Sequence, residues 1–300
     1  MNDNSEKKEE RNIDKIIKYL YGVKPNQRKS KNRWIDTKPG WKNYKHNEEK
    51  ENLIKKVEIK KVELDNTPRN DNNLKELPLH NVFLTAKSKY DDTNKCNNEK
   101  NIEKLIATIY EKDKRVSNQW CVGKNQESVD LVICDNNKKY TLVELKSLNN
   151  NNVSDSPIFA LIEIIKNYRL LEKYSKEKSH FCDIEEFCLL APKDYYEHFF
   201  KGKDAITDIN EFYKTVEKFN EENKVSNLKF TMKFINKNGK DIVNNAQDKY
   251  HNGKKREDNG RFEINKHDIN SDEYLRCLLL ENWRNNDIST REKLREKLGI

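Results

Sequence analysis

Apolar positions are spread unevenly along the chain, and their spacing changes where they concentrate. Near the start, Ile13, Ile16, Ile17, Tyr19 and Leu20 recur at helical intervals, predicting a short helix ended by Gly22 and Pro25. Residues 46–98 are polar, apart from a weak strand or helix at 53–64 and an apolar patch, LPLHNVFLTA, at 77–86. From about residue 98 the pattern sharpens. Ile102, Leu105, Ile106 and Ile109 fall on one face of an amphipathic helix. Two strand-like runs follow, SVDLVIC and YTLVELK, separated by DNNKK, a polar turn that predicts a hairpin.

Ser156 and Pro157 suit the cap and first turn of a long helix, PIFALIEIIKNYRLLEKY, with Ile158, Leu161, Ile162, Ile165 and Tyr168 on one face. EEFCLLAP predicts a buried strand stopped by Pro192, and DYYEHFF a helical stretch. Leu228, Phe230, Met232 and Phe234 alternate, which marks a strand with one apolar face. Residues 236–268 are polar and rich in Gly, Asn and Lys, and predict loop. Two helices then close the chain, the last opening at Ser289, with Glu292 completing a capping box, and ending at Gly299. No internal repeat is visible.

This alternation of helix, hairpin, helix, strand, helix and strand predicts an α/β fold: a mixed sheet of about four or five strands flanked by helices, over roughly 98–235. Residues 1–97 form a basic, partly irregular N-terminal extension, and residues 236–300 a loop and C-terminal helices. Composition agrees with an ordinary core carrying polar flanks. Only 34% of the 300 residues are hydrophobic and 37% are charged. No stretch approaches the roughly 20 apolar residues that span a bilayer. The start of the chain lacks the apolar segment of a signal peptide. Cys121, Cys134 and Cys188 lie in apolar segments, which suggests buried free thiols in a reducing compartment. The expectation is a cytoplasmic protein without a membrane partner.

The formal net charge of +8 is compatible with a nucleic-acid partner, although abundant Lys and Asn throughout also raise it. Residues 24–45 concentrate the charge. Lys29, Lys31, Arg33 and Lys42 are interleaved with Trp34, Trp41 and Tyr44, a pattern that can grip phosphates and stack bases. A solvated Lys/Asn tail has the same composition. No Gly-rich phosphate loop, helicase motif or Ser/His/Asp triad is present. None of the six histidines stands at metal-ligand spacing beside the cysteines.

The hairpin carries the chemistry. If Asn136, Asn137 and Lys138 form its loop, Asp135 faces Lys139, and the constant sum of facing positions sets Asp130 opposite Glu144. Alternation places Glu144 and Lys146 on one face and Val143 and Leu145 on the other. Two facing carboxylates repel unless a cation lies between them, and oxygen ligands suit Mg²⁺ or Mn²⁺. A surface hairpin with a wet Glu-x-Lys face is the alternative. The apolar surroundings of Glu144 argue against it, because an unpaired buried carboxylate is costly.

Residues 127–146, ESVDLVICDNNKKYTLVELK, resemble the motif of the PD-(D/E)XK nuclease superfamily, and the order of elements over about 98–191 fits as well. The resemblance implies a restriction-endonuclease-like fold, with Asp130 and Glu144 as metal ligands and Lys146 as the catalytic lysine. It further implies an acidic ligand on the preceding helix, Glu103 or its neighbour one turn away, Glu99. Val129 stands where the family often has Pro. Tyr168 follows the motif, but the Gln that many members carry before it has no clear counterpart. Glu127 is a candidate to assist the metal, or equally a strand-entry charge; Lys166 and Arg169 are candidates to contact phosphate, with a solvated helix face the favoured reading for both.

The function expected on these grounds is a Mg²⁺-dependent (or Mn²⁺-dependent) nuclease that hydrolyses phosphodiesters in DNA, in a restriction or phage-defence setting, with a homodimer compatible. The alternatives are a non-catalytic nucleic-acid-binding or interaction protein on the same fold, and an RNA-directed nuclease. Replacing Lys146 by Ala is expected to preserve the fold and most metal binding while removing cleavage.

Overall fold

The hairpin forms in the expected register. In the computed structural model, strand β3 (Ser128–Cys134) pairs antiparallel with β4 (Tyr140–Leu145), with Cys134 facing Tyr140 and Leu131 facing Val143. Asp135 builds the turn. Its side chain accepts from the backbone N–H of Asn137 at 2.8 Å and of Lys139 at 2.9 Å, while its own N–H bonds the Lys139 carbonyl at 3.0 Å. The structure describes residues 81–85, 98–110, 115–121, 128–135, 137, 139–149, 152–153, 157, 160, 163–164, 167, 184–201, 209–210, 213, 217, 229–256, 261–281 and 285–300.

Short strands β5 (Leu148–Asn149) and β6 (Asn152–Val153) pair with each other, whereas β3 and β4 belong to a five-stranded mixed sheet. Its other members are β2 (Arg115–Cys121), β7 (Ile184–Pro192) and β8 (Lys229–Ile235), in the order β2-β3-β4-β7-β8. The β2, β3 and β4 pairings are antiparallel, whereas β7 runs parallel to both β4 and β8. Central strands covered on both faces need apolar side chains on both, which explains the near-continuous runs in β3, β4 and β7. Leu131, Ile133, Val143, Leu145, Cys188 and Leu190 join one core with Ile102, Leu105, Ile106 and Ile109 of helix α1 (Asn98–Tyr110). By alternation, Val132, Leu142, Glu144 and Leu189 point to the opposite face. Helix α2 is described at residues 157, 160, 163, 164 and 167, of which Pro157, Ala160, Ile164 and Asn167 are buried. The apolar stripe expected on that helix at 158, 161, 162, 165 and 168 lies outside the described residues. Helix α3 (Lys193–Phe200) follows β7 directly, and its Tyr196 stacks on Phe234 of β8 with ring centroids 5.9 Å apart.

Two expectations need correction, and the apolar patch near residue 80 gains an element. Residues 236–268 are not loop: helix α4 (Gly239–Tyr250) is followed by strands β9 (His251–Arg256) and β10 (Arg261–Asn265). Ile242, Val243 and Ala246 suffice to seat α4 in the α1 core, although its exposed face is polar. The 77–86 patch contains strand β1 (Asn81–Thr85), which pairs along its full length with β10 in an antiparallel sheet ordered β1-β10-β9. The closing helix (Arg291–Leu298) is capped by Thr290, whose hydroxyl accepts from Lys293 N–H, rather than by Ser289. The Ser289 hydroxyl is engaged elsewhere, accepting from Met232 N–H at 3.1 Å and bonding Asp287. Strand β2 was not anticipated, since Val116 and Trp120 are its main apolar residues.

Gly299 ends the chain's last helix with φ of 69°, the left-handed cap expected there. Cys134 and Cys188 are free and buried. Among the described residues no helix is long and apolar enough to cross a membrane.

Candidate functional site

The β3–β4 ladder runs to Leu131 and Val143, and the same register sets Asp130 opposite Glu144. Beyond that point Asp130 takes the place of backbone pairing: its Oδ2 accepts from Leu145 N–H at 3.0 Å. A carboxylate thus sits between two central strands, fastened to the strand that carries Glu144 and leads into Lys146.

Glu144 and Lys146 share a face, as alternation requires, and both are buried. The Lys146 Nζ donates to Glu144 Oε1 at 2.7 Å and to Glu163 Oε2 on α2 at 2.9 Å. Burial drives the Glu144 carboxyl well above its ordinary range, Lys146 opposes that rise, and Asp130 and Glu163 add to it. For Lys146, burial works against the ammonium. Glu144, Glu163, Glu99 and Asp130 together outweigh it and hold the amine charged, well above its ordinary value.

The second half of the site lies on α1. Glu103, 1% exposed, accepts from Lys100 Nζ at 3.1 Å, from Asn118 Nδ2 at 2.9 Å and from Gln119 Nε2 at 2.8 Å. Asp130 Oδ1 accepts from Gln119 Nε2 at 3.0 Å and lies 3.6 Å from Lys100 Nζ. Burial raises the Glu103 carboxyl; Lys100 resists this, and nearby Asp130 adds to it. Asp130 therefore links two clusters, Glu103 with Lys100 on one side and Glu144 with Lys146 and Glu163 on the other.

The structure brings together Asp130, Glu144, Lys146 and Glu103. Glu99 is half-buried one turn before Glu103 and contributes to the field at Lys146. Lys29, Lys31, Arg33, Trp34, Lys42, Glu127, Lys166 and Arg169 lie outside the described residues. Sequence reading missed Lys100, Asn118, Gln119 and Glu163. Lys100 and Glu163 sit at helical positions that look like solvated charges, and Asn118 and Gln119 lie on the unanticipated strand.

As donors, carboxylate oxygens of Asp130, Glu144 and Glu103 suit a hard divalent cation. The carboxyls of Glu103 and Glu144 are raised chiefly by burial, with neighbouring Asp130 adding to the rise. Among the described residues, no group of three or more His, Cys, Asp or Glu side chains is arranged to hold a metal ion. The carboxylates are instead bonded to Lys100, Asn118, Gln119 and Lys146. No protein-family model, curated protein or solved structure matches this chain.

Proposed function

We propose that this protein is a divalent-metal-dependent nuclease acting on DNA, built on a restriction-endonuclease-like fold. The observation that supports the reading best is the buried meeting of Asp130, Glu144 and Lys146 where the β3–β4 ladder ends. A carboxylate pair with a lysine beside it, held inside an apolar sheet, has no structural need that hydrophobic residues would not meet as well. Asp130, Glu144 and Glu103 would hold Mg²⁺ or Mn²⁺. The ion would supply Lewis acidity and neutralise charge at the scissile phosphate. Lys146, kept protonated by its carboxylate neighbours, would place a positive charge where negative charge develops on the phosphoryl oxygens. Lys100 and Gln119 would hold Glu103 and Asp130 in place.

A second reading, a non-catalytic nucleic-acid-binding protein on the same scaffold, is favoured by one observation: Lys146 already satisfies Glu144 and Glu163. The test is a substrate panel of duplex DNA, single-stranded DNA and RNA, incubated with the full chain in Mg²⁺, Mn²⁺ or EDTA. The expected result is metal-dependent DNA cutting, reduced about 100-fold or more in Glu144→Gln and Asp130→Asn. Cutting of RNA alone would redirect the substrate assignment. Wild-type cutting by Glu144→Gln, or none by the wild type on any polymer, would end the nuclease reading.

A further inference from the structure

Gln119 stands out from the rest of the sheet. It is the one non-glycine residue with positive φ among those described, at 50°, and it does so inside a strand. For an L-residue the left-handed conformation is strained, and it persists where surrounding contacts over-determine it. The β2–β3 register pairs Asn118 with Leu131 and Trp120 with Val129, leaving Gln119 opposite Asp130.

A regular strand sends consecutive side chains to opposite faces. Asn118 and Gln119 break that rule, because both amides reach the same carboxylate: Asn118 Nδ2 lies 2.9 Å from Glu103 Oε1, and Gln119 Nε2 lies 2.8 Å from Glu103 Oε2. The backbone reversal at Gln119 makes this double reach achievable. The Gln119 Nε2 also donates to Asp130 Oδ1 at 3.0 Å, and its Oε1 accepts from Ser128 Oγ at 3.2 Å. Two carboxylate acceptors on one side settle which end of the amide faces them. Gln119 therefore ties the helix that carries Glu103 to the strand that carries Asp130. It does so with a neutral donor, which adds no positive charge beyond that of Lys100, 3.1 Å from Glu103 and 3.6 Å from Asp130.

We propose that Gln119 is a positioning residue, held in a strained conformation so that one amide sets the spacing of Glu103 and Asp130 for a divalent cation. This rests on the reading of those carboxylates as a cation site. Partners that orient metal ligands in this way change metal affinity by about 10–100-fold when removed.

The test measures Mn²⁺ binding to the full chain by calorimetry, with thermal melts in EDTA, for Gln119→Ala, Gln119→Gly and Asp130→Asn. Both Gln119 variants lack the amide, but Gly accepts the left-handed backbone without strain. The expected result is a loss of Mn²⁺ affinity of about 10–100-fold in both, with Gln119→Gly melting above Gln119→Ala. A purely structural residue would show the melting difference without the affinity loss. Mn²⁺ affinity equal to wild type in a folded Gln119→Gly, while Asp130→Asn loses binding, would overturn the role of Gln119 alone. If the wild type bound no Mn²⁺, or Asp130→Asn bound it unchanged, the cation site itself would be wrong and this proposal would fall with it.

Discussion

Lys146→Met tests the electrostatic account of the site without requiring a substrate. Methionine keeps most of the lysine stem's volume and removes its ammonium. That ammonium lies 2.7 Å from Glu144 and 2.9 Å from Glu163, and the side chains of Lys146, Glu144 and Glu163 are 5%, 7% and 24% exposed. Removing one partner of a buried ion pair costs about 3–5 kcal/mol, because the other charge stays behind. Two features place the expected loss near 3 kcal/mol. Glu163 is partly hydrated, and Glu144, already pushed upward by burial, can take a proton instead of remaining charged. A loss of that size lowers the folded-to-unfolded ratio about 150-fold. Urea denaturation at neutral pH in EDTA would read it as a lower midpoint with an unchanged slope. The double variant Lys146→Met/Glu144→Gln should recover most of the loss, since no buried charge is orphaned on β4. The deficit of the single variant should also shrink on acidification, as Glu144 gains its proton. A single variant within about 0.5 kcal/mol of wild type would refute the reasoning, because that is the range of ordinary surface substitutions. The same burial revises the expectation that Lys146→Ala leaves the fold untouched. Cleavage by any Lys146 variant must be compared at matched folded fractions.

Two further outcomes follow from the same geometry. Glu103 and Glu144 carry carboxyls raised in the folded state, so the stability they contribute is fully present below the unfolded carboxylate range. It is lost as pH rises through the raised folded values; melts in EDTA should therefore show a component that falls as pH rises above the ordinary carboxylate range. Glu144→Gln should flatten that component, and an unchanged profile would contradict the burial account. Gly239→Ala, at the first turn of α4, would place a Cβ 2.6 Å from Ser147 Oγ and 3.3 Å from Pro192 Cγ. Crowding of this kind typically costs about 1–3 kcal/mol, measurable by chemical denaturation, and a neutral effect would mean that Ser147 rotates away freely.

Local pattern alone determined much of this protein. The helix over 98–110, the hairpin and its register, the strand stopped near Pro192 and the alternating strand at 229–235 were legible because each buries enough apolar surface to show its period. The three-residue hairpin loop placed Asp130 opposite Glu144, since facing positions in an antiparallel pair keep a constant sum. Glu144 and Lys146 shared a face for the same reason.

Tertiary structure decided what local pattern leaves open. Strand β2 is weakly apolar and bends through a left-handed residue, so nothing in its period announces it, yet it brings Asn118 and Gln119 to the carboxylates. Helix α4 seats three apolar residues in a core assembled from distant segments, and its polar exposed face resembles loop in isolation. Strand β1 meets a partner about 180 residues later, an alignment that hydrogen bonding fixes and composition does not encode. Glu163 and Lys100 look like surface charges along their helices. Only packing of those helices against the sheet turns one into the second anchor of Lys146 and the other into the cation beside Glu103 and Asp130. Periodicity reports which face of an element is buried; which charged groups meet across elements depends on how those faces are docked.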